Sequence, residues 1–167
     1  MLKKIFLMIA VISLIWCISA CSDDNDADIF NFKLDWLTEG LSSIDTYEGV
    51  LTRGSRGGIS ESVEFIIPED KMQEFYEAFL EYEIYDLPED ISGKEPSYRP
   101  ITYYTFKYTY NKETKTIKCI GADTADKDLF KFNTDTIPPT LEIIKDTPQA
   151  RFTVFALMIR EYILLLN

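Results

Sequence analysis

Alternating hydrophobic and polar positions predict two β-hairpins. Residues 101–110 alternate strictly, with aromatic side chains on one face and mainly threonine and lysine on the other. This pattern is typical of a half-buried strand, and residues 115–120 supply its partner after a polar turn. An earlier hairpin is predicted from strands at 44–53 and 62–67, because a glycine-rich turn at 54–58 separates them.

A helical period follows the first hairpin. Pro68 suits the start of a helix, and Glu69 and Asp70 complement the positive end of the helix dipole. We therefore expect a helix that ends near residues 82–84. Its buried stripe consists of Met72, Phe75, Tyr76, Phe79 and Leu80.

A second helix is predicted from Pro148 to Leu166, with Asp146 or Thr147 as its cap. Its apolar residues lie on several sides, which indicates burial against more than one neighbour. We interpret it as a central core helix rather than a partner or dimer surface. The charged pair at 160–161 interrupts the apolar run and argues against a membrane span.

Three segments carry weaker patterns. Residues 29–41 fit either a strand or a helix, and we favour a short helix or irregular entry. Residues 129–132 fit a short strand or a crossing segment, and the apolar stretch at 141–144 has no clear period. The order of elements predicts an α+β fold, with an antiparallel sheet built from β-hairpins and helices packed on one face.

The N-terminus has the pattern of an export signal. Lys3 and Lys4 precede an apolar run at 5–18, which spans about 21 Å as a helix and is too short for a bilayer core of about 30 Å. Ile18-Ser19-Ala20-Cys21 resembles the lipobox of bacterial lipoproteins. The resemblance implies that Cys21 receives a diacylglyceryl group and becomes the first mature residue.

An acidic tract follows this cysteine. Ser22-Asp23-Asp24-Asn25-Asp26 resembles the tract that follows the lipidated cysteine in many surface-exposed lipoproteins of Bacteroides-like bacteria. The resemblance implies attachment to the outer membrane at the cell surface, and the alternative is an outer-membrane location that faces the periplasm. We therefore expect a signal peptide at 1–20, an acidic tether at 21–28 and a single globular domain at 29–167.

Charge and cysteine content narrow the classes of partner. Loss of residues 1–20, which hold two lysines and no acidic residue, changes the net charge from −11 to −13. Nucleic acid is not an expected partner, since phosphate binding needs a basic patch. Cys119 is the remaining thiol and is predicted to be buried in a strand.

The chain contains no histidine. This excludes Ser-His-Asp catalysis and histidine-ligated zinc. We assign no catalytic, metal-binding or cofactor-binding residue, and no cofactor. The candidate ligand-binding residues are Arg53 and Arg56, which lie just before and within the glycine-rich turn and suit an anion, and Tyr98 and Tyr103, whose rings suit a glycan.

These observations lead to three ranked expectations. The first is a non-enzymatic lipoprotein that binds a protein or glycan partner, or that serves as an accessory to an envelope system. The alternative is an inhibitor or immunity-type protein that acts on a basic target through an acidic face. The third is a hydrolase that uses a pair of carboxylates.

Overall fold

A computed structural model describes residues 30–38, 40–54, 58–92, 101–122, 126–133 and 140–166. A 3₁₀ turn at Ile84–Asp86 follows the first helix. The strands and helices within these ranges are β1 (Asn31–Leu37), β2 (Leu41–Asp45), β3 (Val50–Gly54), β4 (Ser60–Glu64), α1 (Glu69–Glu81), β5 (Tyr103–Tyr110), β6 (Glu113–Ile120), β7 (Phe130–Asn133), β8 (Thr140–Ile143) and α2 (Pro148–Leu165).

Six strands form one sheet in the order β4-β3-β2-β1-β5-β6, and every neighbouring pair is antiparallel. Strands β7 and β8 form a second, two-stranded antiparallel sheet. The predicted α+β fold with an antiparallel sheet built from hairpins is confirmed. The predicted hairpin at 101–120 is β5–β6, with Asn111 and Lys112 in left-handed conformation at its turn.

Both helices pack on the same face of the large sheet. On β1, the ring of Phe32 lies 6.2 Å from that of Phe75 in α1. On β5, the ring of Phe106 lies 5.3 Å from that of Phe155 in α2. These side chains are fully buried, so the main hydrophobic core lies between the sheet and the two helices.

Helix α1 confirms the predicted stripe. Phe75, Tyr76 and Phe79 are buried, whereas Met72 and Leu80 are partly buried against the same core. Ring contacts anchor the helix to the sheet, with Phe79 at 5.0 Å from Tyr108. The helix ends at Glu81, close to the predicted position.

Helix α2 is buried on two sides, as its sequence predicts. One side meets the large sheet, and the other meets a smaller cluster that includes Phe130 of β7. The Oγ1 of Thr147 accepts a hydrogen bond from the N–H of Ala150 at 3.1 Å, which confirms the predicted cap. The final turn is different, since Leu165 is 83% exposed.

Two predictions about the first strands are wrong. Residues 31–37 form a strand rather than a helix, because β1 pairs on both sides, with β2 and with β5. Residues 44–53 form two strands rather than one. The Asp45 carboxylate accepts the N–H groups of Tyr47 and Glu48 at 3.1 and 3.3 Å, and Gly49 has a φ of 65°, which together make a tight turn.

Two smaller outcomes concern β4 and Cys119. The predicted strand at 62–67 is displaced, since β4 runs from Ser60 to Glu64 and all five residues are exposed. Cys119 is buried, as predicted, and burial raises the pKa of its thiol to about 12. A thiol with this pKa is largely protonated at neutral pH and is therefore a poor nucleophile.

The described helices contain no stretch that is long and apolar enough to cross a membrane. The predicted signal peptide at 1–20 and the tether at 21–28 lie outside the described residues, as does Cys21.

Candidate functional site

The large sheet has a second face on which neither α1 nor α2 packs, and we call it the outer face. Side chains alternate along each strand, so Phe32 and Leu34 point to the helices while their neighbours point the other way. The outer face is formed by Asn31, Lys33, Asp35 and Leu37 of β1, Leu41, Ser43 and Asp45 of β2, Val50 and Thr52 of β3, Ser60, Ser62 and Glu64 of β4, Tyr103, Thr105, Lys107 and Thr109 of β5, and Thr114, Thr116, Lys118 and Ile120 of β6.

One end of the outer face carries a line of apolar side chains. The register places Leu41 opposite Leu37, Leu37 opposite Tyr103, and Tyr103 opposite Ile120. Leu41, Leu37 and Tyr103 are 57%, 46% and 40% exposed, whereas Ile120 is buried. These four residues, on four neighbouring strands, are the apolar row.

The next two rows carry charges of both signs. Asp35 lies between Ser43 and Thr105, and Thr105 pairs with Lys118. In the following row, Lys33 lies between Asp45 and Lys107. The Nζ of Lys33 is 3.2 Å from the Asp45 carboxylate, so one basic and one acidic group on this face are already paired.

Asp35 is the half-buried carboxylate at the centre of this face. Burial raises the pKa of its carboxyl, the positive charge of Lys33 opposes that shift, and the nearby Asp45 adds to it. The pKa of Lys33 is raised in turn, mainly by its hydrogen bond to Asp45. A carboxylate that sits in a partly desolvated position gains more from a cationic partner than an exposed one does.

The far end of the outer face is held together by its own side chains. The Tyr47 hydroxyl is 3.1 Å from the carbonyl oxygen of Asn31, to which it donates, and 2.8 Å from the Oγ1 of Thr109. The Nζ of Lys107 lies 5.4 Å from the centre of the Tyr47 ring. These polar groups therefore have intramolecular partners, whereas the Leu37 and Leu41 side chains of the apolar row are exposed.

Two of the four predicted ligand-binding residues are described, and they lie on different faces of the sheet. Tyr103 belongs to the apolar row, but Arg53 is exposed on the opposite face of β3, in register with Glu61. This placement sets an acidic residue opposite Arg53 and makes an anion site there less favourable. Arg56 and Tyr98 lie outside the described residues.

Sequence reasoning missed Leu37 and Leu41. The helical interpretation of 29–41 hid them, because it assigned both to a core stripe. The alternation of Phe32, Leu34 and Trp36 was the signal that would have found Leu37, since that period puts residue 37 on the opposite face.

A cavity of about 270 Å³ lies between the end of α1 and the start of α2. Arg151 spans it, with 2.6 Å to the Glu83 carboxylate and 3.2 Å to that of Asp146. Its guanidinium also donates to the carbonyl of Tyr82 at 3.4 Å. These contacts pair one guanidinium with two of the carboxylates that line the cavity, and they connect the end of α1 to the start of α2, so we interpret the cavity as a structural junction.

Among the described residues, no three His, Cys, Asp or Glu side chains are grouped in a way that could hold a metal ion. No protein-family model matches the chain, and no curated protein or solved structure is significantly similar to it.

Proposed function

We propose that this chain is a lipoprotein of the bacterial outer membrane that is anchored through Cys21 and binds a protein partner with the outer face of its sheet. The observation that carries the proposal is the apolar row, which lies exposed beside rows of charged and hydroxyl side chains. The pattern at 1–26 supports the anchor and a location at the cell surface. The arrangement of the outer face supports a binding role rather than a chemical one.

The apolar row has the composition of an interface centre. Its three exposed members lie on adjacent strands, so the row spans about 10 Å at the usual strand spacing of about 4.8 Å. Tyrosine is enriched among the residues that dominate binding energy, and burial of the two leucine side chains would remove further apolar surface from water. A polar rim around such a centre excludes water from it. The row of Ser43, Asp35, Thr105 and Lys118 provides such a rim along one side.

The size of the outer face indicates the class of interface that it can form. Six strands at about 4.8 Å and seven residues of β1 at about 3.3 Å give a flat area of about 25 by 20 Å. This projected area of about 500 Å² is below the roughly 800 Å² per partner of a standard interface and fits the smaller interfaces of weak or transient complexes.

A protein partner fits this face better than a glycan. Glycan recognition relies on flat aromatic rings that lie close together. Among the described residues, the aromatic side chains of this side are Tyr103, at one end, and Tyr47, which contacts Thr109 at the other. Thr109 follows Tyr103 by six positions in β5, which is about 20 Å, so these two rings do not form one platform.

The inhibitor function remains the second candidate because α1 has an acidic outer surface. Its exposed residues include Asp70, Glu74, Glu77 and Glu81, with Lys71 as the basic exception, which pairs with Glu74 at 2.6 Å. A basic partner would be attracted to this surface. The two candidates therefore place the contact on opposite sides of the sheet.

The anchor is tested by Cys21→Ser in the full chain. We expect the substitution to abolish incorporation of labelled fatty acid and to release the domain from the membrane fraction. Cys17→Ser is the matched control, since it removes a neighbouring thiol and leaves Cys21 in place. If Cys21→Ser still incorporates label, the anchor assignment is wrong.

The binding face is tested with a photo-crosslinking amino acid at Thr105 of the full chain in whole cells. We expect a protease-sensitive adduct with one partner, which Leu37→Asn or Leu41→Asn lowers at least about tenfold, as loss of about 1.4 kcal/mol would. The control is Leu165→Asn, which changes an even more exposed leucine at the end of α2 and should leave the adduct unchanged.

Charge reversal on α1 separates the two candidates. Glu77→Lys together with Glu81→Lys should leave the Thr105 adduct intact if the outer face binds the partner. Loss of the adduct in this variant, with no effect of Leu37→Asn, would support the inhibitor function and overturn the first candidate.

A further inference from the structure

The two edges of the large sheet differ in how their backbone groups are satisfied. At the β6 edge, the N–H of Ile91 donates to the carbonyl of Lys118 at 3.0 Å, and the N–H of Lys118 donates to that of Glu89 at 2.8 Å. The segment at 89–91 therefore covers this edge. Strand β4 forms the other edge, no described strand pairs with its outer side, and its residues are exposed throughout.

The ladder between β3 and β4 decides which backbone groups of β4 point outward. Phe65 donates its N–H to the carbonyl of Gly49 at 2.7 Å, so this pair is hydrogen-bonded. Hydrogen-bonded and non-bonded pairs alternate along an antiparallel ladder, which makes Val63 and Glu61 the next bonded residues. The N–H and C=O groups of Ser60, Ser62 and Glu64 consequently point away from the sheet.

These outward-pointing backbone groups are arranged so that β4 can pair with β4 of a second copy of the chain. In an antiparallel pair centred on Ser62, that residue faces its own copy and Ser60 faces Glu64 of the other chain. The outward-pointing N–H and C=O groups of these three residues in one copy then lie opposite the same groups in the other copy. Each can therefore form a backbone hydrogen bond between the two strands. A shift of the pairing by an odd number of residues would place these groups opposite residues that are already hydrogen-bonded to β3, and they would remain unpaired.

The side chains in this register are compatible as well. Glu61 faces Val63 of the second copy and Ile59 faces Phe65, so no two acidic groups lie directly opposite each other. A shift by two residues toward the N-terminus would place Glu61 against Glu61. A shift by two toward the C-terminus would use fewer of the outward-pointing groups.

We propose that strand β4 pairs antiparallel with β4 of a second copy of this chain, centred on Ser62. The pairing joins two six-stranded sheets into one sheet of twelve strands. The two-fold axis of such a pair is perpendicular to the sheet, so both outer faces lie on the same side. A single partner can then contact two apolar rows, which raises the strength of binding through avidity.

The first test is a cysteine crosslink in membranes from cells that express the full chain. Ser62→Cys places two thiols opposite each other at a Cα separation of about 5.5 Å, within the range for a disulfide. After mild oxidation, we expect a species of twice the monomer mass on a non-reducing gel, at least about tenfold above wild type.

Ser60→Cys is the matched control on the same strand. In this register, residue 60 lies opposite residue 64 of the other copy, so the two copies of residue 60 are four positions apart along the strands. Their separation of about 14 Å is too far for a disulfide. An absence of dimer from Ser62→Cys, or equal amounts from both variants, would overturn the proposal.

A second measurement does not depend on a crosslink. Ser62→Pro removes an N–H that points outward, and proline is tolerated at a sheet edge, so the monomer should keep its circular dichroism spectrum and unfolding midpoint. In sedimentation, wild type should show a concentration-dependent dimer in detergent, and the variant should remain monomeric. An unchanged dimer fraction in a folded Ser62→Pro variant would contradict self-pairing.

Discussion

At the scale of single residues, Asp35 shows how sheet formation changes the chemistry of a side chain. In sequence it is one of 28 acidic residues and carries no distinguishing signal. In the sheet, β2 and β5 flank it on both sides and remove part of its water. Because burial is the largest cause of its raised pKa, ionisation of Asp35 opposes folding.

The first prediction concerns Asp35→Asn and the pH dependence of stability. The folded-state pKa lies above the unfolded value of 3.8, so the carboxyl favours folding below pH 3.8 and that contribution is lost as pH rises through the folded pKa. The amide does not titrate. The variant should therefore gain stability relative to wild type between pH 3 and pH 7, measured by urea unfolding.

The control for this comparison is Glu113→Gln, which neutralises an exposed carboxylate on β6. The stability change caused by Asp35→Asn is compared with that of this variant at each pH. A stability difference between Asp35→Asn and wild type that is constant from pH 3 to pH 7 would show that burial does not set the pKa of Asp35.

The second prediction concerns Gly54, where two strands approach closely. A Cβ at this position would lie 2.2 Å from the carbonyl oxygen of Leu41, and the N–H of Gly54 donates to the Oγ of Ser42 at 3.1 Å. Gly54→Ala therefore forces the β2 backbone to move. We expect a loss of about 2 kcal/mol in the free energy of unfolding, as for other overpacked sites.

Gly58→Ala is the comparison for Gly54→Ala. No heavy atom lies within 4 Å of a Cβ built at Gly58, although its φ of 74° makes alanine unfavourable there by about 1 kcal/mol. Chemical denaturation should rank Gly54→Ala as the more destabilising of the two. The reverse order would mean that the β2 backbone can move away at Leu41 with little loss of stability.

At the scale of elements, the packing of α2 explains why its sequence is apolar on several sides. An apolar surface on several sides of a helix would be unfavourable on a one-layer structure. Here the second sheet, β7–β8, covers the side of α2 that the large sheet leaves open, and Val154 packs there with Phe130. The helix is thus the element that joins the two sheets.

The third prediction tests how the start of α2 is held. Thr147→Ala removes the hydroxyl that accepts from Ala150, and loss of such a cap costs about 1 kcal/mol. Thr147→Ser keeps the acceptor and should retain most of the stability. Thermal unfolding of the three proteins measures the difference, and equal midpoints for all three would mean that the cap contributes nothing.

At the scale of the whole molecule, charge is the dominant feature. The chain has a net charge of −11, and the acidic outer surface of α1 concentrates part of it on the side opposite the outer face. Repulsion among these groups destabilises the compact state at low ionic strength, whereas exposed ion pairs return little free energy.

The fourth prediction follows from this charge balance. Sodium chloride should raise the thermal unfolding midpoint between about 10 and 150 mM, because the screening length falls from about 30 Å to about 8 Å and the repulsion weakens. Sucrose at matched osmolarity is the control for non-ionic effects. A midpoint that falls with salt would show that attractive pairs outweigh the repulsion.

The elements with strong periodicity could be predicted from sequence alone. The stripe of α1, the alternation of β5 and the turn after it depend on local spacing, so neighbouring residues are enough to specify them. Residues 30–37 were different, because Phe30 and Leu34 fit both the strand period and the helix period. Pairing with β2 and β5 decided between them, and those partners are distant in the chain.

The candidate site depended even more on tertiary structure. Sequence reasoning selected Tyr103 for its ring. The alternation of Phe32, Leu34 and Trp36 could also have placed Leu37 on the outer face, but no pattern in the sequence selected Leu41. Only the register of β2, β1 and β5 brings these three side chains into one row. The sequence by itself determined the acidic character, the absence of histidine and the lipobox-like pattern, because composition and local motifs need no folding. The tertiary structure decided which face is closed and which edge is open, because both depend on contacts between residues far apart in the chain.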